Sequence, residues 1–340
     1  MKYISVFVCL ALIIVSICFL PPSAGNDVTV GMGDGINKEL ETPQDIQGLL
    51  KYISEENSAE LYNQDSFGIS VLNYNDGKTP TDVAAKKTTK KQTYKSVTIH
   101  ENAYMTVSSK SSYGSSKTTV NRKLSIYITK DATYYHSIGQ QSSTYSYSSS
   151  EVSNNSNSSS FASFDIEVFI DSNNSDAYVK FNRWNMTSTS ETVIISTEIL
   201  GRWVKFNGKS FDALYAVDNL NKDSLATIGE IINTAIDEDL FDTNNNTYSL
   251  SKKDIEKILG ADGIKQGEFT VDLSTPARPL VKLLVSASES NKQSNVYANA
   301  YTKTEYIFEN INNTVVEMDE NADILVIDED EVDDYIIVED

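Results

Sequence analysis

Cysteine is nearly missing from this chain, and its two copies, Cys9 and Cys18, both fall near the N-terminus. Everything downstream lacks a thiol, which excludes a disulfide framework, a thiolate metal site and a cysteine nucleophile. Histidine is equally scarce. His100 lies in a polar, strand-like stretch and His136 follows Tyr134-Tyr135. Without cysteines or a neighbouring carboxylate motif, neither points to zinc or to a catalytic triad. No G-x-S-x-G, P-loop or G-x-G-x-x-G pattern occurs, and Met32-Gly33-Asp34-Gly35 reads as a loop. Asp242, Asn244 and Asn246 alternate like the first half of an EF-hand loop. Thr247 stands where that loop needs Gly, and Lys253 where it needs a bidentate Glu, so calcium is not expected. The reading is of a protein without metal, cofactor or catalytic residues, and therefore not of an enzyme.

Positive charge is also short. The chain carries 28 Lys and Arg against 48 Asp and Glu, a net charge of −20, and no base follows Lys303. Such a surface repels phosphate backbones, which excludes nucleic acid as a partner. The acids crowd into Asp328-Glu329-Asp330-Glu331 and Asp333-Asp334, so residues 319–340 read as a solubilising acidic tail. Within it, Ile324-Leu325-Val326-Ile327 and Tyr335-Ile336-Ile337-Val338 are the two stretches able to form edge strands.

What the chain does have is apolar and aromatic residues, at 40% and 10%, with 19 tyrosines, which is not a disordered composition. Met1-Lys2-Tyr3, the apolar run Ile4 to Leu20 and Pro21-Pro22-Ser23-Ala24-Gly25 have the order of a secretory signal, residues 1–25. The mature chain would start near Asn26 and lie outside the cytoplasm, secreted or at the cell surface. Two alternatives stay open. The apolar run approaches bilayer-spanning length and so could be retained as a membrane anchor. Cys18 could accept a lipid, although Ile17 is bulky beside it.

Residues 26–65 read as a linker with one short helix. Thr42 caps it, Pro43 fits its first turn, and Ile46, Leu49, Leu50 and Ile53 share a face. Residues 66–318 alternate with period two. Phe67, Ile69 and Val71 open the pattern, Lys86 to Lys91 interrupts it, and Gln92 to Val107 resumes it. Leu124, Ile126 and Ile128, then Thr133 to Ile138, continue, and Ser142 to Ser160 reads as a mobile Ser/Asn/Tyr-rich loop. The clearest strand is Phe161 to Ile170, with Ala162, Phe164, Ile166, Val168 and Ile170 on one face. Val179 and Phe181, then Val193, Ile195 and Ile199, then Trp203 to Phe206 repeat the pattern. Ser224 to Asp239 is the strongest helix, with Leu225, Ile228, Ile231, Ile232, Ala235 and Ile236 on one stripe, and Ser251 to Leu259 is a second. Strands return at Glu268, Pro279 and Ser294. The expected class is α+β: a mainly antiparallel curved sheet or half-open β-barrel, with helices covering its concave face.

From Phe161 to Met318 this order of elements resembles the LolA/LppX-type exported proteins, half-open β-barrels with a helical lid. Gly201-Arg202-Trp203-Val204-Lys205-Phe206 stands ahead of the long helix, and Gly267 to Leu273 follows the second one. Thr304-Glu305-Tyr306-Ile307-Phe308-Glu309-Asn310-Ile311-Asn312 resembles the closing strand and turn. The Pro that often follows that turn in relatives is missing from Asn313 to Met318. The resemblance implies a hydrophobic interior that takes acyl chains, and hence a carrier or binding protein for a lipid-like ligand. The ligand would lie against Phe164, Ile166, Val168, Val179, Phe181, Val193, Ile195, Ile228 and Ile232. The same side chains serve equally as an ordinary core, in which case the chain is a cell-surface interaction scaffold without a small-molecule ligand.

Overall fold

The computed structural model describes residues 28–55, 94–147, 156–174, 176–189, 192–207, 225, 227–260, 263–291 and 296–339. The signal segment 1–25, the strand expected around Phe67 to Val71 and the Lys86 to Lys91 loop lie outside the described residues.

Strand β1 (Val28–Met32) precedes helix α1 (Pro43–Glu55), and five consecutive strands follow: β2 (Ser96–Ser111), β3 (Gly114–Thr129), β4 (Ala132–Tyr147), β5 (Ser156–Asp171) and β6 (Asp176–Ser188). Each pairs antiparallel with the next, so they form one meander. The short strands β7 (Thr192–Ile195) and β8 (Trp203–Phe206) join β6 at its edge. Helix α2 (227–237) follows. A second antiparallel meander then runs from β9 (Asp242–Asn244) and β10 (Thr247–Leu250), through helix α3 (Lys252–Leu259), to β11 (Ile264–Asp272), β12 (Leu280–Asn291) and β13 (Val296–Glu309). The two meanders fuse where β13 pairs with β2, Tyr306 opposite Glu101. The product is one curved, unclosed 14-stranded sheet.

β8 and β9 sit toward opposite ends of this sheet, and α2 lies between them in sequence. Its Ile228, Ile231, Ile232 and Ala235 join one buried cluster with Ile46 and Leu49 of α1, Ile255 of α3 and the apolar phase of the strands, such as Ile99, Ile126, Ile166, Val179, Val281 and Phe308. Both flanking helices start on capping boxes. In α1, Thr42 accepts from the Asp45 amide while Asp45 accepts from that of Thr42. Ser251 and Asp254 repeat the exchange in α3, which stops at left-handed Gly260.

The other sheet face carries a smaller cluster around Tyr134, Phe169 and Trp203. β1 and β14 (Thr314–Met318), a separate two-stranded sheet, contribute Val28, Val30, Val316 and Met318 to it. The chain reaches β14 through a turn with Asn310 at φ 51° and Asn312 at φ 66°, conformations that Asn tolerates better than most residues.

Two expectations are corrected here. Strand β4 runs to Tyr147 and β5 starts at Ser156, so most of the stretch expected to be a mobile loop, Ser142 to Ser160, is paired sheet. Hydroxyl pairs across the strands replace apolar contacts: Thr118 with Ser143 at 3.1 Å, and Ser115 with Ser146 at 2.9 Å. Nor are residues 319–340 a free tail. β15 (Ile324–Ile327) pairs parallel with β8, and after a single-turn helix α4 (Val332–Tyr335), β16 (Ile336–Glu339) pairs with β7. Ile327 is fully buried while Asp323, Asp328, Asp330 and Asp334, which lie before and between the two strands, stay exposed. Asp242 to Asn246, rejected above as a calcium loop, is a tight hairpin with Asn245 and Asn246 at φ 47° and 61°.

Candidate functional site

Charged residues interrupt the apolar phase of β2 and β3 at adjacent positions. On β2 that phase reads Val97, Ile99, Glu101, Ala103, Met105; on β3 it reads Val120, Arg122, Leu124, Ile126. Register places Glu101 opposite Leu124 and Ala103 opposite Arg122, so the two charges are diagonal neighbours on one face and form an ion pair. Glu101 keeps 4% of its side-chain exposure and Arg122 10%. Both lie on the core face, in the lining of a cavity to which α2 and α3 also contribute.

Around this pair the core is not filled. A cavity of about 100 Å³ lies between the sheet and two helices. Its floor is Ala103, Met105 and Val120 beside Leu283 and Val285 of β12 and Thr302, Thr304 and Tyr306 of β13; Thr227, Ile228 and Ile231 of α2 and Leu259 of α3 close it from above. One water centre needs roughly 10–15 Å³, so the space exceeds a single trapped water. Its walls are mostly apolar. Tyr306, on the floor, has its hydroxyl pKa driven well upward, by burial first and then by the Glu101 charge, so it stays a neutral phenol.

Of the residues singled out from the sequence, Ile228 lines this cavity. Phe164, Ile166, Val168, Val179, Phe181, Ile195 and Ile232 are buried in the main cluster, and half-buried Val193 lies in β7; none of these eight lines the cavity. The open volume sits over β2, β3, β12 and β13, at the junction of the two meanders, rather than over β5 and β6. Sequence reading missed Glu101 and Arg122. The available signal was charge on the apolar phase of two successive strands, at offsets that meet across a hairpin.

Two polar groupings occupy the other face. His100 Nδ1 lies 2.9 Å from Ser125 Oγ and its Nε2 lies 2.9 Å from Glu309 Oε1, while Arg278 donates to the other Glu309 oxygen at 3.0 Å. This places a hydroxyl, an imidazole and a carboxylate in line, but Ser125 is mid-strand, with β2 on one side and β4 on the other. Its neighbouring amides serve the ladders, leaving no backbone donor aimed at an oxyanion, so the alignment lacks what acyl transfer requires. In the second grouping, Tyr134 donates to Glu167 at 2.7 Å, and Asn182 donates to Asp165 at 2.6 Å and to Glu167 at 2.7 Å. Asn182 is the extra residue of a β-bulge on β6, where Arg183 pairs with Asp165 but Phe181 with Ile166. Lys180, opposite Glu167, sits over the Trp203 ring at 5.6 Å. No group of three or more His, Cys, Asp and Glu suited to a metal occurs among the described residues. Nor does any described helix have the length and apolarity to cross a membrane.

No family profile and no curated protein matches this chain.

Proposed function

We propose that this chain is an exported, non-enzymatic carrier or binding protein for a hydrophobic, lipid-like ligand, held between the sheet and helices α2 and α3. The observation that carries this reading is the apolar cavity at the β2–β13 junction, because a sheet that curls without closing leaves space that side chains need not fill. In this reading the sheet is a half-open barrel, α1, α2 and α3 cover its concave face as a lid, and the fold is of the kind that the LolA/LppX resemblance implies. The N-terminal signal segment takes the chain out of the cytoplasm, or tethers it to the membrane if retained.

A second reading has its own support. Tyr104 on β2, Tyr113 in the β2–β3 turn, Tyr145 on β4 and Tyr297 on β13 are exposed, as an interaction scaffold with no small ligand would use them. Uptake of the neutral fluorophore N-phenyl-1-naphthylamine by the purified domain, beginning at Asn26, separates the two. A carrier takes it up, and Ala103→Phe, which fills the cavity, abolishes uptake while the melting temperature holds. Uptake that Ala103→Phe leaves unchanged, or no uptake with no lipid found by native mass spectrometry, favours the scaffold.

A further inference from the structure

The long strands project beyond the core they enclose. Past Met105 on β2, Val120 on β3, Gly139 on β4 and Phe164 on β5, the described side chains are half-buried or exposed. Pairing nevertheless continues to Ser111, Gly114, Tyr147 and Ser156. Six further residues of strand reach about 20 Å. At the apex, in the β2–β3 turn, Tyr113 is 60% exposed. Tyr297 is 54% exposed and pairs with Lys110, which pairs with Ser115; Tyr145 is 49% exposed and pairs with Ser116. Because successive strand residues point to opposite faces, Tyr297 and Tyr145 stand at nearly one height on opposite sides of the sheet.

This end also departs from the charge of the chain. Register places residues 106–119, 142–147, 156–161, 286–291 and 296–301 from the level of Thr106 to the apex. In a chain of net charge −20 they hold two bases, Lys110 and Lys117, and one acid, Glu289. The connections 148–155 and 292–295 add one charge of each sign, Glu151 and Lys292. The acidic C-terminal segment stays lower. Glu339 of β16 pairs with Thr192, that with Thr187, and that with Phe161, five residues short of Ser156. Five residues span about 17 Å, twice the roughly 8 Å screening length at physiological salt.

We infer that this sheet end is a docking tip for an anionic phospholipid surface, which it enters end-on. Tyrosine combines an apolar ring with a polar hydroxyl and suits the boundary between headgroups and acyl chains. Lysines just behind the rings are drawn to anionic headgroups. A bilayer surrounds an inserted tip and so meets Tyr145, Tyr297 and the apex together. A protein or glycan laid flat on the sheet would cover one face and leave the other ring in water. The inference goes beyond the carrier reading and does not depend on what the cavity holds.

The test uses the chain beginning at Asn26, without the apolar N-terminal run, and measures its sedimentation with lipid vesicles. One set is phosphatidylcholine alone and the other holds equal parts of phosphatidylcholine and phosphatidylglycerol. The anionic vesicles should bind at least about tenfold more tightly, with the preference falling as salt rises. Lys110→Gln with Lys117→Gln should remove most of that preference. Tyr113→Ser, Tyr145→Ser and Tyr297→Ser should each weaken binding several-fold. Tyr104→Ser, on the face of Tyr297 but about 20 Å further from the apex, should leave binding unchanged. Circular dichroism confirms that each variant is folded, and should one not fold, the wild-type contrast between the two vesicles decides. Equal or absent binding to both vesicles overturns the inference. So does a loss at Tyr104 matching that at Tyr297, or a loss at Tyr297 with none at Tyr145, since either result describes a partner lying flat. Fluorophore uptake, measured without vesicles, tests the carrier reading separately.

Discussion

Asp165 is the carboxylate whose setting says most about the far face of the sheet. Burial raises its pKa above the ordinary value, against the hydrogen bond from Asn182 and the nearby charges of His136 and Arg183. An acid whose folded pKa exceeds its unfolded one favours the fold while protonated. That contribution is complete below the unfolded pKa and is lost as pH rises through the folded one. Asp165→Asn keeps an oxygen for Asn182 to donate to and removes the titration. The variant is expected to melt at the wild-type temperature near pH 3 and above it at neutral pH, as thermal melts between these limits would show. A lower neutral melting temperature would mean that attraction to His136 and Arg183 outweighs burial. At this scale the sequence was legible where local geometry decides: the Thr42–Asp45 and Ser251–Asp254 capping boxes could be read directly. The Glu101–Arg122 pair was not read, because charge on an apolar phase gains its meaning from a neighbouring strand.

At the scale of elements, α2 offers an internal comparison. Ile228 and Ile232 are adjacent turns of one stripe and both are buried, yet Ile228 borders the cavity and Ile232 does not. Ile232→Ala should cost about 2–5 kcal/mol through lost burial and a new void. Ile228→Ala, where contacts are already missing, should cost less, approaching the transfer term of about 0.8 kcal/mol for each methylene removed. Chemical denaturation of the two variants measures the difference, and equal costs would argue that the cavity is closed in solution. The C-terminal strands make a second case. Truncation after Asp328 removes β16, its pairing with β7, the Ser196 amide's bond to the Tyr335 carbonyl at 2.8 Å, and the packing of Val332, Tyr335 and Ile336 on the main core. The expected loss is about 2 kcal/mol or more, the worth of roughly one buried aliphatic side chain, and a melt indistinguishable from wild type would count against this pairing. Acidic density was the stronger local signal in that segment and pointed to a solvated tail. Four apolar residues in β15 and three in β16, with most of the acids placed outside the strands, overrode it. The Ser142 to Ser160 stretch misled for the complementary reason: hydroxyl ladders leave no apolar period to detect.

At the scale of the molecule, the α+β class and the strand–helix–strand order could be read from periodicity, whereas the pairing of β13 with β2, which creates the cavity, could not. Periodicity reports which face of a strand is buried and is silent on which strand lies beside it. Net charge is the opposite case, fully written in the sequence, and it carries the last prediction. The chain bears −20, and its exposed ion pairs, such as Arg202 with Asp323, Lys257 with Glu238 and Lys252 with Glu256, join groups at the surface. Pairs of that kind contribute about 0–1 kcal/mol each and weaken as salt is added. Repulsion among the surplus acids opposes compaction at longer range, and β15 and β16 bring the densest acidic segment onto the sheet edge instead of leaving it free. Raising sodium chloride from about 10 mM to 150 mM shortens the screening length from roughly 30 Å to 8 Å, which removes long-range repulsion more completely than contact attraction. The melting temperature should therefore rise, by about 2–4 °C for each kcal/mol of repulsion relieved. The effect should vanish near pH 4.5, where the sequence carries no net charge. A melting temperature that falls with salt at neutral pH would show that the surface pairs dominate the balance, and that the acidic excess is placed where it does not act against the fold.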